Sequence, residues 1–364
     1  MYQIESDIRR AATLPGSFYH SPESYSACRE QVFARSWQLI TGAEETVRLP
    51  FDALPFTYME HFIEEPLALL RDGQNNLRCL SNVCTHRGNI LVQHPGRLER
   101  GLVCGYHGRR FHHDGRFAAM PETDGMENFP CADDHLTPLP VRQWRQFVFT
   151  SIDPAIPFDD WVAGLERKVG FLPMDQFRYD AARSKDYLVK ANWALYCDNY
   201  LEGFHIPFVH KTLAASLDWG AYRTELHRWG NCQVGIGRGG EETFALPPDH
   251  EDAGQSIAAY YFWLFPNIMF NFYPWGLSLN IVRPLQPDLT RVSFRAYVWQ
   301  AEKLGAGAGA DVDLVEREDE AVVELVQRGT RSRFYKHGRF APKQERGVHQ
   351  FHRLLADMLL PPAS

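Results

Sequence analysis

No run of the 364 residues approaches the ~18 consecutive apolar residues of a membrane span. The opening stretch MYQIESDIRRAATLPG lacks the charged-then-apolar pattern of a signal peptide, so neither a membrane nor export is expected. Cysteine is scarce. The seven cysteines, at 28, 79, 84, 104, 131, 197 and 232, are odd in number and thinly spread, which excludes a disulfide scaffold and fits a reducing cytoplasm. Positive charge is also short. Lys and Arg number 38 against 45 Asp and Glu, a formal net charge of -7, which argues against nucleic acid as the main partner. A dinucleotide loop is missing too. GIGRGG at 235–240 has the glycines without the strand–turn–helix context and spacing, and GAGAGAD at 305–311 reads as a linker.

What is present is ordinary in bulk, with 45% hydrophobic and 23% charged residues, and long enough for about two domains. LPGSFYHSPESYSACREQVFARSWQLI holds one predicted helix, capped near Ser21 and Ser24 and running towards Arg35. From about Trp37 to Asp153, short β-type runs alternate with Asp-Gly and Asn-rich breaks, the pattern of antiparallel hairpins. After Pro154 the texture changes. Helical IPFDDWVAGLERKVGFL is followed by a strand that passes into a helix over SKDYLVKANWALYCDNYLEGFHIPFVH, then by long aromatic-rich strands over 222–300. Two more helices are predicted, from Glu316 to Arg328 and over 345–360.

The first chemical constellation is Cys84-x-His86, then seventeen residues, then Cys104-x-x-His107. Two thiols and two imidazoles on two loops suit zinc, or a 2Fe–2S cluster with one iron on cysteines and the other on histidines. Zinc fingers usually place at least two residues between paired ligands, and Cys-x-His leaves one. Gly88, Gly105 and Gly108 permit the positive φ and close backbone approach that aim amide N–H groups at bridging sulfides. The two halves therefore read as one Rieske-type cluster site.

CTHRG…CGYHG resembles the Rieske signature of the non-haem iron oxygenases. The respiratory-chain version carries an extra cysteine pair, where this chain has Asn89 and Tyr106. Arg109 stands where a tryptophan usually follows the glycine, a change expected around His107 and not in ligation.

In NYLEGFHIPFVH, His205 and His210 lie five apart, with Pro207 expected to distort the turn between them so that both imidazoles converge. Two histidines and one carboxylate on one face are how non-haem Fe(II) oxygenases hold iron. The segment NWALYCDNYLEGFH resembles the mononuclear iron motif of the same family, with Asn192, Trp193, Asn199, His205 and His210 in matching places. Glu202 stands where many members have aspartate. The resemblance gives this carboxylate the task of bridging the iron-ligand histidine to a Rieske histidine of the adjacent subunit in a trimer. EREDEAVVELVQRG resembles the late helix whose aspartate completes the triad. Asp319 is the expected third ligand, anchored by Val322, Val323 and Val326, with Asp311, Asp313 and Glu316 as competitors.

The resemblance covers nearly the whole chain and implies an α+β architecture. Residues 1–36 would be an N-terminal segment packing on the catalytic domain, 37–155 a Rieske domain of small antiparallel sheets, and 156–364 a catalytic domain with a long antiparallel sheet covered by helices. It implies an oxygenase large subunit that takes electrons from a separate reductase or ferredoxin, with NADH involved only through that reductase. Electrons would pass from the cluster through Glu202 to ferrous iron, which activates dioxygen beside a small substrate. DNYLEGFH, VQRG and FAPKQERGVHQFH resemble the subgroup acting on quaternary ammonium compounds, and Trp263, Phe270, Phe272, Tyr273 and Trp275 are candidate lining for an aromatic cage. The same lining suits an aromatic ring or aromatic acid. A third reading, from another class, is an iron–sulfur electron carrier with a vestigial second site.

Overall fold

Ser21 starts the first helix as expected. Its hydroxyl accepts the Ser24 N–H at 3.1 Å, and Pro22 occupies the first turn, where its missing N–H costs nothing. This helix, α1 (Pro22–Ala27), continues as a π-helical turn over Cys28–Phe33 that buries Cys28, Val32 and Phe33. The structure is a computed structural model and describes residues 2–210, 218, 220–305, 307–309 and 312–360. Asp311, a competitor for the third ligand, and part of the GAGAGAD stretch lie outside the described residues. The chain divides into two units, Ala34–Ile156 in one and Met1–Phe33 with Pro157–Ser364 in the other.

The 34–156 unit contains β1 (Gln38–Leu39), α2 (Ala43–Thr46), β2 (Asp52–Tyr58), β3 (Glu65–Arg71), β4 (Leu77–Ser81), β5 (Gly96–Arg97), β6 (Leu102–Val103), β7 (Arg110–Phe111), β8 (Phe117–Ala119), β9 (Pro138–Leu139), β10 (Val141–Trp144) and β11 (Phe147–Thr150). They form three antiparallel sheets, ordered β1-β11-β10, β5-β2-β3-β4-β9 and β6-β7-β8. Both Asp-Gly breaks are hairpin turns. Asp72 Oδ1 accepts the N–H groups of Gln74 and Asn76 between β3 and β4, and Gly115 takes φ +88° between β7 and β8. Ala68, Leu70, Leu80, Leu102, Phe111 and Leu136 pack with Cys84 and Cys104 in one apolar core.

The second unit holds α3 (Phe158–Val169), β12 (Arg178–Val189), α4 (Trp193–Tyr200), α5 (Ile206–Val209) and β13 (Arg223–His227). Then come β14 (Gly230–Ile236), β15 (Ile257–Leu264), β16 (Ile268–Tyr273), β17 (Gly276–Gln286), β18 (Leu289–Val298), α6 (Val312–Thr330) and α7 (Arg346–Met358). Its seven strands make one antiparallel sheet in the order β12-β18-β17-β16-β15-β14-β13. Every residue of β15 and β16 is buried, so these strands read as near-continuous apolar runs interrupted by Asn271. Helix α6 differs from expectation on one point. Val326 is exposed, and the buried stripe consists of Glu316, Val323, Gln327 and Thr330, a largely polar face that hydrophobic periodicity does not pick out. Among the described residues no helix is long and apolar enough to cross a membrane.

Candidate active site

The two cysteine–histidine loops of the 34–156 unit are near copies of each other. In one, Cys84 N–H donates to the Asn89 carbonyl at 2.8 Å and Gly88 N–H to the Cys84 carbonyl at 2.9 Å. In the other, Cys104 N–H donates to the Arg109 carbonyl at 2.8 Å and Gly108 N–H to the Cys104 carbonyl at 3.0 Å. Gly88 and Gly108, four residues after each cysteine, share φ +71°, a conformation that favours glycine. Cys84 and Cys104 are buried, while His86 and His107 are exposed with ring centroids 4.8 Å apart. Asn89 Nδ2 lies 3.6 Å from Cys104 Sγ, a donor placed for a thiolate. The four donors do not converge on one ion. Among the described residues, only His205, His210 and Asp319 form a group of three tight enough for that. A buried thiol pair and a separate exposed imidazole pair fit two irons, not a single zinc.

Arg109 has turned away from this surface. Its guanidinium is buried among Phe111, Phe117 and Phe129, closest to Phe117 at 4.8 Å, and Nη2 donates to Asp134 Oδ1 at 2.7 Å. The Asp134 carbonyl accepts from Arg109 Nη2 at 3.1 Å and from the Thr85 hydroxyl at 3.0 Å, so one residue ties both loops together.

In the second unit, Asn192 caps α4 by accepting the Ala194 N–H at 3.0 Å, and the helix ends after Tyr200. The chain then turns through Gly203, where a Cβ would stand 2.6 Å from the Tyr222 ring. It restarts as α5, with His205 before it and His210 after it. Pro207 sits in the first turn of this short helix, where it distorts nothing, and the two histidines converge from the helix's two ends.

Glu202 Oε1 accepts from His205 Nδ1 at 2.7 Å, and Glu318 Oε2 from His210 Nδ1 at 2.7 Å. A carboxylate can only accept, so each imidazole keeps its proton on Nδ1 and turns Nε2 inward. The Nε2 atoms are 3.1 Å apart, and Asp319 Oδ1 is 3.0 Å from that of His210 and 3.5 Å from that of His205. Donors on bonds of about 2.1 Å to one ion stand about 3.0–3.4 Å apart, so the triangle fits a metal. Asn199 Nδ2 donates to the same Asp319 oxygen at 2.6 Å. Burial works to lower the His205 pKa, but its hydrogen bonds to Asp319 and Glu202 push it up to about 9, as expected of an imidazole among carboxylates. Of the competitors among the described residues, neither joins the triangle. Asp313 binds Lys185 Nζ at 2.7 Å and the Tyr187 hydroxyl, and Glu316 binds the Tyr196 hydroxyl.

Residues 174–360 match the family described as "Ring hydroxylating alpha subunit (catalytic domain)", and residues 52–130 match "Rieske [2Fe-2S] domain". The chain belongs to the Rieske non-haem iron oxygenases. Its relatives include the chloroplastic choline monooxygenase of Arabidopsis thaliana, 31% identical over 368 residues that cover 96% of this chain and 83% of the relative. The carnitine monooxygenase oxygenase subunit of Escherichia coli strain K12 is 28% identical, covering 96% of this chain and 94% of that one. The crystal structure of the quaternary ammonium Rieske monooxygenase CntA with the inhibitor MMV12 superposes with a TM-score of 0.79 at 25% identity, covering 98% of this chain and 100% of that one. The protein is thus the terminal oxygenase component of such a system and works with a 2Fe–2S cluster, a mononuclear iron and electrons from a separate reductase or ferredoxin.

The cavity beside this triangle holds about 100 Å3. Of the five aromatics expected to line it, only Tyr273 does. Phe270 and Phe272 stack on each other on the opposite face of the sheet, because strand residues alternate sides. Trp263 shares Tyr273's face but packs against Phe351 of α7 at 5.2 Å, and Trp275 stacks behind Tyr273 at 5.3 Å. The lining comes instead from Tyr196 and Tyr200 of α4, Tyr222, and a cross-strand row of Gln233, Tyr261 and Asn271. Sequence reasoning also missed Glu318. Its neighbour Asp319 marks the helix, yet nothing local says which adjacent acid orients His210.

Proposed function

We propose that this oxygenase hydroxylates or N-demethylates a small quaternary ammonium or methylated amine. Fe(II) would be held by His205, His210 and Asp319, and the cluster by Cys84, Cys104, His86 and His107. The observation that carries the reading is the cavity beside the triangle. It is lined by Tyr196, Tyr200, Tyr222, Tyr261, Tyr273 and Phe294, and among its described lining residues there is no Lys or Arg. Aromatic faces attract methylated ammonium cations, while an aromatic acid would need a basic partner to hold its carboxylate. The names of the choline and carnitine monooxygenases point to the same class.

When bound, the cluster supplies electrons one at a time and the iron activates dioxygen. The chain's own residues position and protect. Glu202 and Glu318 fix both imidazole tautomers, Asn199 fixes Asp319, and the tyrosine ring displaces water around the substrate. Glu202 and His205 also line a second hollow of about 240 Å3, with Asp198, Glu345 and His352. Because it reaches both hollows, Glu202 is our choice for the bridge to a cluster histidine of a neighbouring subunit in a homotrimer. A cytoplasmic setting would keep the five cysteines other than Cys84 and Cys104 as thiols.

The test is oxygen uptake and formaldehyde release by holoenzyme with a surrogate reductase and NADH, over methylated amines and aromatic acids. Formaldehyde matched to oxygen consumed is the result expected for N-demethylation. Hydroxylated aromatic products without formaldehyde would overturn the substrate class and leave the oxygenase assignment standing.

A further inference from the structure

Glu316 has no role in holding iron, yet it lines the iron-side cavity and is only 2% exposed. Its Oε2 accepts from the Tyr196 hydroxyl at 2.5 Å, while Oε1 is buried and has no hydrogen-bond partner among the described residues. A buried carboxylate oxygen left unpaired is costly, and proteins normally satisfy such an atom with a donor or a cation. No described Lys or Arg lines the cavity to do so. Burial pushes the Glu316 carboxyl well above its usual range, with Asp319, Glu320 and Asp313 adding to the rise, as expected where compensating positive charge is missing.

We infer that Glu316 is the substrate's counter-ion. Its carboxylate, in the wall of the cavity, would pair with the cationic headgroup and select a permanent positive charge over an uncharged group of the same shape. This deepens the reading under Proposed function and rests on it. Tyrosine faces favour the cation only in part, because their apolar surface also accepts an uncharged group of the same size. A fixed carboxylate distinguishes the two, because only the cation repays its desolvation. The tyrosines would thus set shape, and Glu316 would set charge.

The experiment measures binding to holoenzyme of choline, carnitine and γ-butyrobetaine, each against its tert-butyl isostere in which carbon replaces the nitrogen. Wild type is expected to prefer the cation by roughly tenfold or more. Glu316→Gln is expected to reduce that preference to roughly threefold or less, by raising KM for the cation with little change in kcat. The visible spectrum of the cluster and the iron content should stay unchanged. Should Glu316→Gln lose iron, Glu316→Asp withdraws the charge by one methylene and must weaken the preference as well. Equal binding of cation and isostere by wild type, or a preference that survives the substitution, would overturn the role of Glu316 while leaving the substrate class intact. If wild type binds none of the cations but turns over an aromatic acid, the substrate class falls and the counter-ion with it.

Discussion

Arg109 occupies a place where the sequence resemblance leads one to expect tryptophan, and the structure shows what the exchange involves. The side chain fills an aromatic pocket as an indole would, with Phe117 and Phe129 against its guanidinium. It also brings a charge that Asp134 must neutralise, at 2.7 Å and with the arginine side chain only 3% exposed. Arg109→Ala leaves that carboxylate without its partner and opens a cavity, and breaking such a pair costs about 3 kcal/mol. The variant should melt earlier, and cluster absorbance should bleach at lower temperature than in wild type. Asp134→Asn should cost less, since an amide oxygen still accepts from the guanidinium. Unchanged melting in Arg109→Ala would show that the tie contributes nothing.

At the scale of elements, α6 organises the catalytic unit through polar side chains. Gln327 Oε1 accepts the Asn192 N–H at 2.8 Å, Glu316 binds Tyr196, and Asp319 binds Asn199, so three positions along α4 are fixed by one helix. A second polar anchor lies on α3. The Lys168 ammonium is buried within 2.9 Å of carboxylate oxygens of Glu225, Glu251 and Asp252. Burial works to raise the Asp252 carboxyl, but Lys168, the Tyr260 hydroxyl and Arg223 overcome it and hold it below its usual range. Glu251 is lowered in the same way, chiefly by Lys168 against burial. A carboxyl whose folded pKa is depressed contributes stability that is fully present above its unfolded value, near about 4, and lost as pH falls through the folded one. Lys168→Met should therefore be destabilised strongly at pH 7, and its deficit against wild type should shrink as pH drops below about 4. Urea unfolding at several pH values checks this, and a deficit independent of pH would mean that packing, not charge, is what Lys168 supplies.

At the scale of the whole molecule, the proposed bridge makes a prediction that no single chain can meet. Asp319→Ala should lose the mononuclear iron and keep the cluster spectrum, while Cys104→Ala should lose the cluster. Neither variant should turn over alone. Mixed oligomers from coexpression should recover activity if electrons cross between subunits, because an intact cluster then lies beside an intact iron site in another chain. Mixed oligomers as inactive as their parents would instead place electron transfer within one chain.

How much of this was legible depends on range. The cluster loops were readable because four donors and three glycines fall within two dozen residues, and the chemistry demands those residue types at close spacing. The histidine pair was readable for the same reason, although the short helix whose two ends carry it was not. Asp319, over a hundred residues away, was reached only through resemblance to a known motif, since one acid in a helix crowded with acids carries no local mark. Glu318, Tyr261, Asn271 and the free oxygen of Glu316 were legible from nothing nearby. The aromatic run over 260–284 announced a buried sheet but not which of its faces holds the cavity. By itself, then, the amino-acid order determined the donors, the helix caps and the hairpin turns, all set by contacts within a few residues. The tertiary structure alone decided which side of the sheet meets the His205, His210 and Asp319 triangle, which acids orient its imidazoles and which acids line its cavity. Those outcomes depend on strand register and helix docking, where a shift of one residue turns a side chain from the cavity to the opposite face.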